Sequence, residues 1–142
     1  MRPPGPLIAL VAAIVYISLV IAAYGFLSLI RHESIITEAD ASVLVGPIMV
    51  FAASICVFWL VLRGSRRRMP GLPWGRSVVA ALVVWVVGPA VGGMIYAIGR
   101  SEPFSAITFF FGHLATVYTL ASVVAAFVVV LLSPLLDRPG LR

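Results

Sequence analysis

His113 is the one conventional titratable side chain that lies clearly inside an apolar segment of this sequence. An ionisable residue in such a segment is a functional candidate, because histidine can carry protons or ligate haem. Thr116 follows about one helical turn later, and Tyr96 lies near the end of the preceding apolar segment. We predict that His113, Thr116 and Tyr96 form a small polar pocket. The plainer alternative, which we favour, is a neutral histidine bonded to a backbone carbonyl or to a hydroxyl such as that of Thr116.

Other reactive groups are few, which limits the chemistry that the chain can perform. Cys56 is the single cysteine, so the sequence contains neither a disulfide framework nor a CxxC redox pair. The apolar segments contain no Asp, Glu, Lys or Arg, so ion-coupled transport lacks an evident coupling site. Motifs of metalloproteases, serine hydrolases and P-loop enzymes are absent. We therefore predict a protein that is not an enzyme and that binds no cofactor or metal.

The elements that position these residues follow from composition. Hydrophobic residues make up 62% of the chain and charged residues only 11%, whereas soluble domains contain roughly 25% charged residues. Each apolar segment is about as long as the ~20 residues that cross a bilayer core as a helix. Because hydrocarbon cannot satisfy backbone groups, these segments must be helical. We predict one domain over residues 1–142, an all-α membrane protein with an antiparallel four-helix transmembrane bundle, its helices at about 7–30, 43–62, 77–98 and 104–132.

The distribution of arginines predicts the orientation of the bundle. Short loops rich in basic residues stay in the cytoplasm. With the amino terminus inside, the inner face holds eight arginines and the outer loops, 31–42 and 99–103, hold only Arg31 and Arg100. This asymmetry predicts a multi-pass protein of a bacterial inner membrane with both ends in the cytoplasm. The first apolar segment is much longer than the core of a signal peptide, so we expect it to remain as a helix.

The cytoplasmic loop 63–76 is strongly basic. Arginines next to a membrane attract anionic lipid headgroups by about 1 kcal/mol each, and Trp74 beside them favours the interface. A nucleic-acid partner is a poor interpretation, because the loop is short and tethered to the bilayer. The residues predicted to contact lipid headgroups are Arg63, Arg66, Arg67, Arg68 and Arg76.

Small residues recur where helices are expected to pack. Membrane helices associate through small side chains that allow their backbones to approach closely. Gly88 and Gly92 form a GxxxG pair around Pro89, and Gly112 belongs to a stripe of small residues with a mean spacing of about 3.5 residues. We predict that Gly88, Gly92 and Gly112 mediate packing within the chain; homodimerisation or docking onto a larger complex is the alternative. The stripe comprises Ser105, Thr108, Gly112, Thr116, Thr119, Ser122 and Ala126.

Four sequence features together resemble a known group of proteins. They are Tyr-Gly-Phe-Leu-Ser-Leu at the end of the first segment, Val-Gly-Pro at the start of the second, Pro-Trp-Gly in the basic loop, and Gly-Pro-Ala-Val-Gly-Gly in the third segment. This plan resembles small uncharacterised four-helix membrane proteins of actinobacteria. The resemblance implies a membrane bundle and assigns no site residues. We predict a non-enzymatic accessory, assembly or interaction subunit; the alternative is a small uncoupled transporter or pore, either monomeric or dimeric.

Overall fold

A computed structural model describes residues 5–31, 44–66 and 74–137 of the 142-residue chain. Most of the predicted first outer loop, half of the basic loop and both chain ends lie outside the described residues. The described helices are α1 Gly5–Arg31, α2 Val45–Arg66, α3 Trp74–Arg100, α4 Pro103–His113 and α5 Val117–Leu132, and a 3-10 turn Ser133–Asp137 follows.

In the part of the chain that the structure describes, four helical segments are long and apolar enough to cross a membrane. They are α1, α2, α3 and α5 with its 3-10 extension as far as Leu135. The predicted all-α membrane fold is confirmed.

The last apolar segment differs from its prediction, because it contains two helices where one was expected over residues 104–132. α4 ends at His113 and α5 begins at Val117. Thr116 has an extended backbone (φ −69°, ψ 148°), and its side chain accepts a hydrogen bond from the N–H of Thr119. A threonine in this position caps the helix that follows it. The interruption is therefore an N-cap inside an apolar segment, formed without a proline.

α3 takes part in more of the helix–helix contacts than any other described helix. α3 contacts α2, α4 and α5, and α1 contacts α2 and α5, whereas α2 and α5 touch less extensively. α1, α2, α3 and α5 therefore surround a common centre, with α4 alongside one part of α3. Only Ser101 and Glu102 separate α3 from α4. Within this short link Ser101 has a left-handed backbone (φ 56°), a conformation that is uncommon for residues other than glycine.

Small and β-branched side chains dominate the main core. Such residues allow close helix contact where burial against lipid gains little. A second cluster, of Val45, Tyr96 and Phe109, joins α2, α3 and α4 near the α3–α4 link. The most completely buried side chains of the main core are Ala9, Ala12, Tyr16, Val20, Val57, Ala80, Ala126 and Val130.

Candidate functional site

His113 is buried at the end of α4. Its Nδ1 lies 3.0 Å from the carbonyl oxygen of Phe109, one turn earlier on the same helix. Because a carbonyl oxygen only accepts hydrogen bonds, Nδ1 carries the hydrogen. The imidazole also stacks on the Phe109 ring, with centroids 3.9 Å apart and planes 12° from parallel. The backbone-bonded histidine that we favoured from the sequence is the arrangement found.

Tyr96 reaches the same neighbourhood through an aromatic contact. Its ring lies 5.2 Å from that of Phe109, so Phe109 contacts both Tyr96 and His113. The Tyr96 hydroxyl accepts a hydrogen bond of 2.7 Å from Arg100, whose guanidinium also lies over the tyrosine ring. Tyr96 and His113 thus lie on the same Phe109 ring, and the described contacts that join them are aromatic.

Thr116, the third predicted pocket residue, caps α5 at the helix interruption. Its hydroxyl lies 3.2 Å from the carbonyl oxygen of His113 and 3.0 Å from the Thr119 hydroxyl. The Thr119 hydroxyl donates a shorter bond, of 2.7 Å, to that His113 carbonyl. Both threonines therefore bond around the backbone of His113, and the described contacts of Thr116 involve no part of the imidazole.

The interruption also receives a donor from α3. The indole Nε1 of Trp85 donates a hydrogen bond of 2.7 Å to the carbonyl oxygen of Leu114. Carbonyls released where a helix stops must find donors when no water is available. Sequence reasoning missed Trp85 and Thr119 in this role. The N-cap preference of Thr116 was the available signal, whereas nothing in the local sequence points to Trp85.

A second polar cluster lies in the bundle centre and was not predicted. Ser122 on α5 donates to the carbonyl of Tyr118 at 3.2 Å, so the 2.6 Å bond between Tyr24 and Ser122 is donated by the tyrosine. The rings of Tyr24 and Tyr118 meet edge to face, with centroids 5.3 Å apart. Tyr16, two turns before Tyr24 on α1, is completely buried. We define these residues, Tyr16, Tyr24 and Ser122, as the central hydroxyl cluster.

The glycines predicted to pack helices fall into different environments. A Cβ at Gly92 would lie 2.5 Å from Met49 Sδ and 2.8 Å from a Phe109 ring carbon, so α2 and α4 approach closely here. At Gly93 it would lie 2.7 Å from the backbone carbonyl oxygen of Ala106. Gly88 is buried, yet a Cβ there would meet no neighbouring atom within 4 Å among the described residues. Gly112 is exposed with similarly open space, so the prediction that it packs within the chain is wrong.

The arginines predicted to contact lipid headgroups also differ in their exposure and contacts. Arg63 is exposed, whereas Arg76 is half-buried and donates a 2.8 Å hydrogen bond to the carbonyl of Leu60 on α2. The Arg76 guanidinium occupies the space where a Cβ at Gly64 would lie. The described contact of Arg76 is therefore with the backbone of α2, and its predicted contact with lipid headgroups stays a prediction. Arg67, Arg68 and the Arg66 side chain lie outside the described residues.

Within residues 5–31, 44–66 and 74–137, no three His, Cys, Asp or Glu side chains come together in a way that could hold a metal ion. The fold and its four apolar helices define a multi-pass membrane protein. Over residues 5–139 the chain matches a family of unknown function, DUF6121, and belongs to that family. The expected resemblance to an uncharacterised family is confirmed. Comparison with curated proteins and with solved structures found no match.

Proposed function

We propose that this protein is a non-enzymatic accessory, assembly or interaction subunit of a bacterial inner membrane, with an antiparallel bundle and both ends in the cytoplasm. The observation that carries the proposal is a face of small residues that α4 and the following turn leave uncovered. It consists of Ser105, Thr108, Gly112 and Ala115, and we name it the small-residue face.

This face is suited to another membrane helix. Thr108, Gly112 and Ala115 are exposed and Ser105 is partly exposed, and a Cβ at Gly112 would meet nothing within 4 Å. The hydroxyls of Ser105 and Thr108 bond to carbonyls of the preceding turn, so they do not protrude as unsatisfied groups. Within α4 the steps of three and four residues from Ser105 through Thr108 to Gly112 average 3.5, the repeat of a left-handed helix pair. A backbone without bulky side chains permits the close approach that favours association in lipid.

The hydroxyl-bearing residues support an interaction role over a pore. Thr119, Ser122 and Tyr96 are buried, and each bonds to a group of this chain. Side chains that line a water path would instead present polar groups to the path. These contacts count against the alternative of a small uncoupled transporter or pore within one chain.

Anionic lipid is the second proposed partner. Arg63 is exposed at the end of α2, beside the arginine-rich loop. A cluster of arginines adjoining the bilayer fits the negatively charged cytoplasmic leaflet. The basic residues therefore support a lipid contact and no nucleic-acid contact.

Affinity purification in mild detergent tests the interaction role. We expect Gly112→Leu to reduce recovery of a membrane-protein partner by roughly tenfold, equivalent to about 1.4 kcal/mol. Gly25→Leu is the matched control, since Gly25 is exposed on α1 and also has no atom within 4 Å of a Cβ position. If the only protein recovered is a second copy of this chain, the partner is the chain itself, and the small-residue face forms a homodimer. Absence of any partner with the unaltered chain, or equal loss with both variants, would overturn the proposal.

A further inference from the structure

A cavity of about 10 Å³ lies between α1, α2, α3 and α5. This volume is close to the smallest that admits one water molecule. Apolar side chains form part of its wall, and the central hydroxyl cluster together with Thr119 forms the polar part. Its lining includes Tyr16, Tyr24, Val84, Gly88, Pro89 and Ser122.

Tyr16 supplies an unsatisfied polar group at this cavity. The residue is 0% exposed, and its Oη has no hydrogen-bond partner among the described residues. A phenolic hydroxyl without a partner is costly to bury, and tyrosine hydroxyls in protein interiors usually find one. The Ser122 hydroxyl is nearby but does not complete a hydrogen bond to Tyr16.

Ser122 has the capacity to hold a bridging molecule. A serine hydroxyl donates one hydrogen bond and accepts two. Ser122 donates to the Tyr118 carbonyl and accepts from Tyr24, so one acceptor position is left.

Gly88 keeps the space open. It is a buried residue of α3 that lines the cavity, yet a Cβ built on it would meet no neighbouring atom within 4 Å. Open space beside a buried glycine is interior volume, whereas beside exposed Gly112 it is the surface. A methyl group at residue 88 would therefore occupy the cavity.

We propose that this cavity binds a single water molecule, which accepts a hydrogen bond from Tyr16 Oη and donates to the free acceptor position of Ser122. The water satisfies the buried tyrosine and joins α1 to α5 at the bundle centre. The site has the size and polarity for water and is too small for a larger polar solute.

A double-mutant cycle on the full chain in detergent tests the proposal, because the sign of the effect of Gly88→Ala on the melting temperature should depend on the Tyr16 hydroxyl. Gly88→Ala fills the cavity and displaces the water, so we expect the melting temperature to fall by roughly 2–4 °C when Tyr16 is present. In the Tyr16→Phe background no hydroxyl needs the water, and Gly88→Ala is expected to be neutral or stabilising. Gly25→Ala is the control, because Gly25 is an exposed residue of α1, and it should change the melting temperature equally in both backgrounds. Equal effects of Gly88→Ala in both backgrounds would overturn the proposal.

Solid-state NMR of the unaltered protein in bilayers provides a direct measurement that does not depend on folded variants. Magnetisation transfer from water to the Tyr16 side chain, lost in Gly88→Ala, is the expected result. Absence of transfer in the unaltered chain would mean a dry cavity and would contradict the water site.

Discussion

The indole of Trp85 on α3 donates a hydrogen bond of 2.7 Å to the carbonyl oxygen of Leu114, at the interruption between α4 and α5. A helix interruption in an apolar segment is stable only when its released carbonyls are satisfied. The shape of the last apolar segment therefore depends on a side chain of a neighbouring helix. Trp85 is 38% exposed, so one side of its ring remains on the surface while its N–H reaches inward.

The first prediction concerns this bond. Trp85→Phe keeps an aromatic ring and removes the N–H, so we expect the free energy of unfolding to fall by about 0.6–1.7 kcal/mol, the range for interhelical hydrogen bonds in membranes. Titration with denaturing detergent, followed by circular dichroism, measures it. Trp59→Phe is the control, because Trp59 is 54% exposed on α2. An equal effect of both substitutions would show that the Leu114 contact contributes nothing specific.

The second prediction separates a structural from a functional role of His113. His113→Phe retains a ring to stack on Phe109 and loses the Nδ1 bond, so we expect about 0.5–1.5 kcal/mol of destabilisation. His113→Leu also loses the stacked ring and should cost roughly 0.5–1.5 kcal/mol more. Both variants should remain in the membrane and retain the partner recovered in affinity purification. Loss of that partner by a variant whose melting is unchanged would assign His113 a functional role.

Much of the fold was predictable because it follows from local composition. Four apolar segments in an otherwise sparsely charged chain require four membrane helices, and the structure has helices over all of them. The interruption near Leu114 had one weak local signal, the N-cap preference of Thr116, since the segment contains no proline there and Trp85 lies on another helix. The same limit applies to the central hydroxyl cluster. Its Tyr24–Ser122 bond joins residues 98 positions apart in sequence.

Glycine positions illustrate a further limit. Gly92 and Gly112 both belong to small-residue patterns, yet one is buried against Met49 and the other is exposed. Spacing predicts that small residues share a helix face, but the rotation of that helix decides whether the face points inward. The seven-residue stripe consequently divides at the interruption. Its α5 members Thr119, Ser122 and Ala126 are buried, whereas Thr108 and Gly112 are exposed.

The third prediction compares two adjacent glycines of α3. A methyl group at Gly93 would approach the Ala106 backbone carbonyl to 2.7 Å, whereas at Gly92 the closest atoms belong to side chains, Met49 Sδ at 2.5 Å and a Phe109 ring carbon at 2.8 Å. A backbone atom cannot move without shifting α4, so Gly93→Ala should destabilise by about 1–3 kcal/mol and Gly92→Ala by less. Thermal melting of both variants measures the order. The reverse order would mean that α3 and α4 do not approach most closely at Ala106.

The fourth prediction distinguishes lipid contact from helix–helix contact among the arginines. Arg76→Gln removes the hydrogen bond to Leu60, so it should lower the melting temperature in neutral phosphatidylcholine bicelles. Arg63→Gln should leave that temperature unchanged, because Arg63 is exposed. Added phosphatidylglycerol should stabilise the unaltered chain and stabilise Arg63→Gln less, by about 1 kcal/mol for the lost charge. An effect of Arg63→Gln in neutral lipid would contradict this assignment.

Gly64 supplies the control for the role of Arg76. A Cβ at Gly64 would overlap the Arg76 guanidinium, so Gly64→Ala should displace that side chain and lower the melting temperature by itself. With Arg76→Gln the space is less filled, and the added methyl should then cost little. Substitutions that share one contact are non-additive, typically by about 0.5–3 kcal/mol. Additive effects of Gly64→Ala and Arg76→Gln would mean that the two residues act independently and that Arg76 serves mainly the lipid surface.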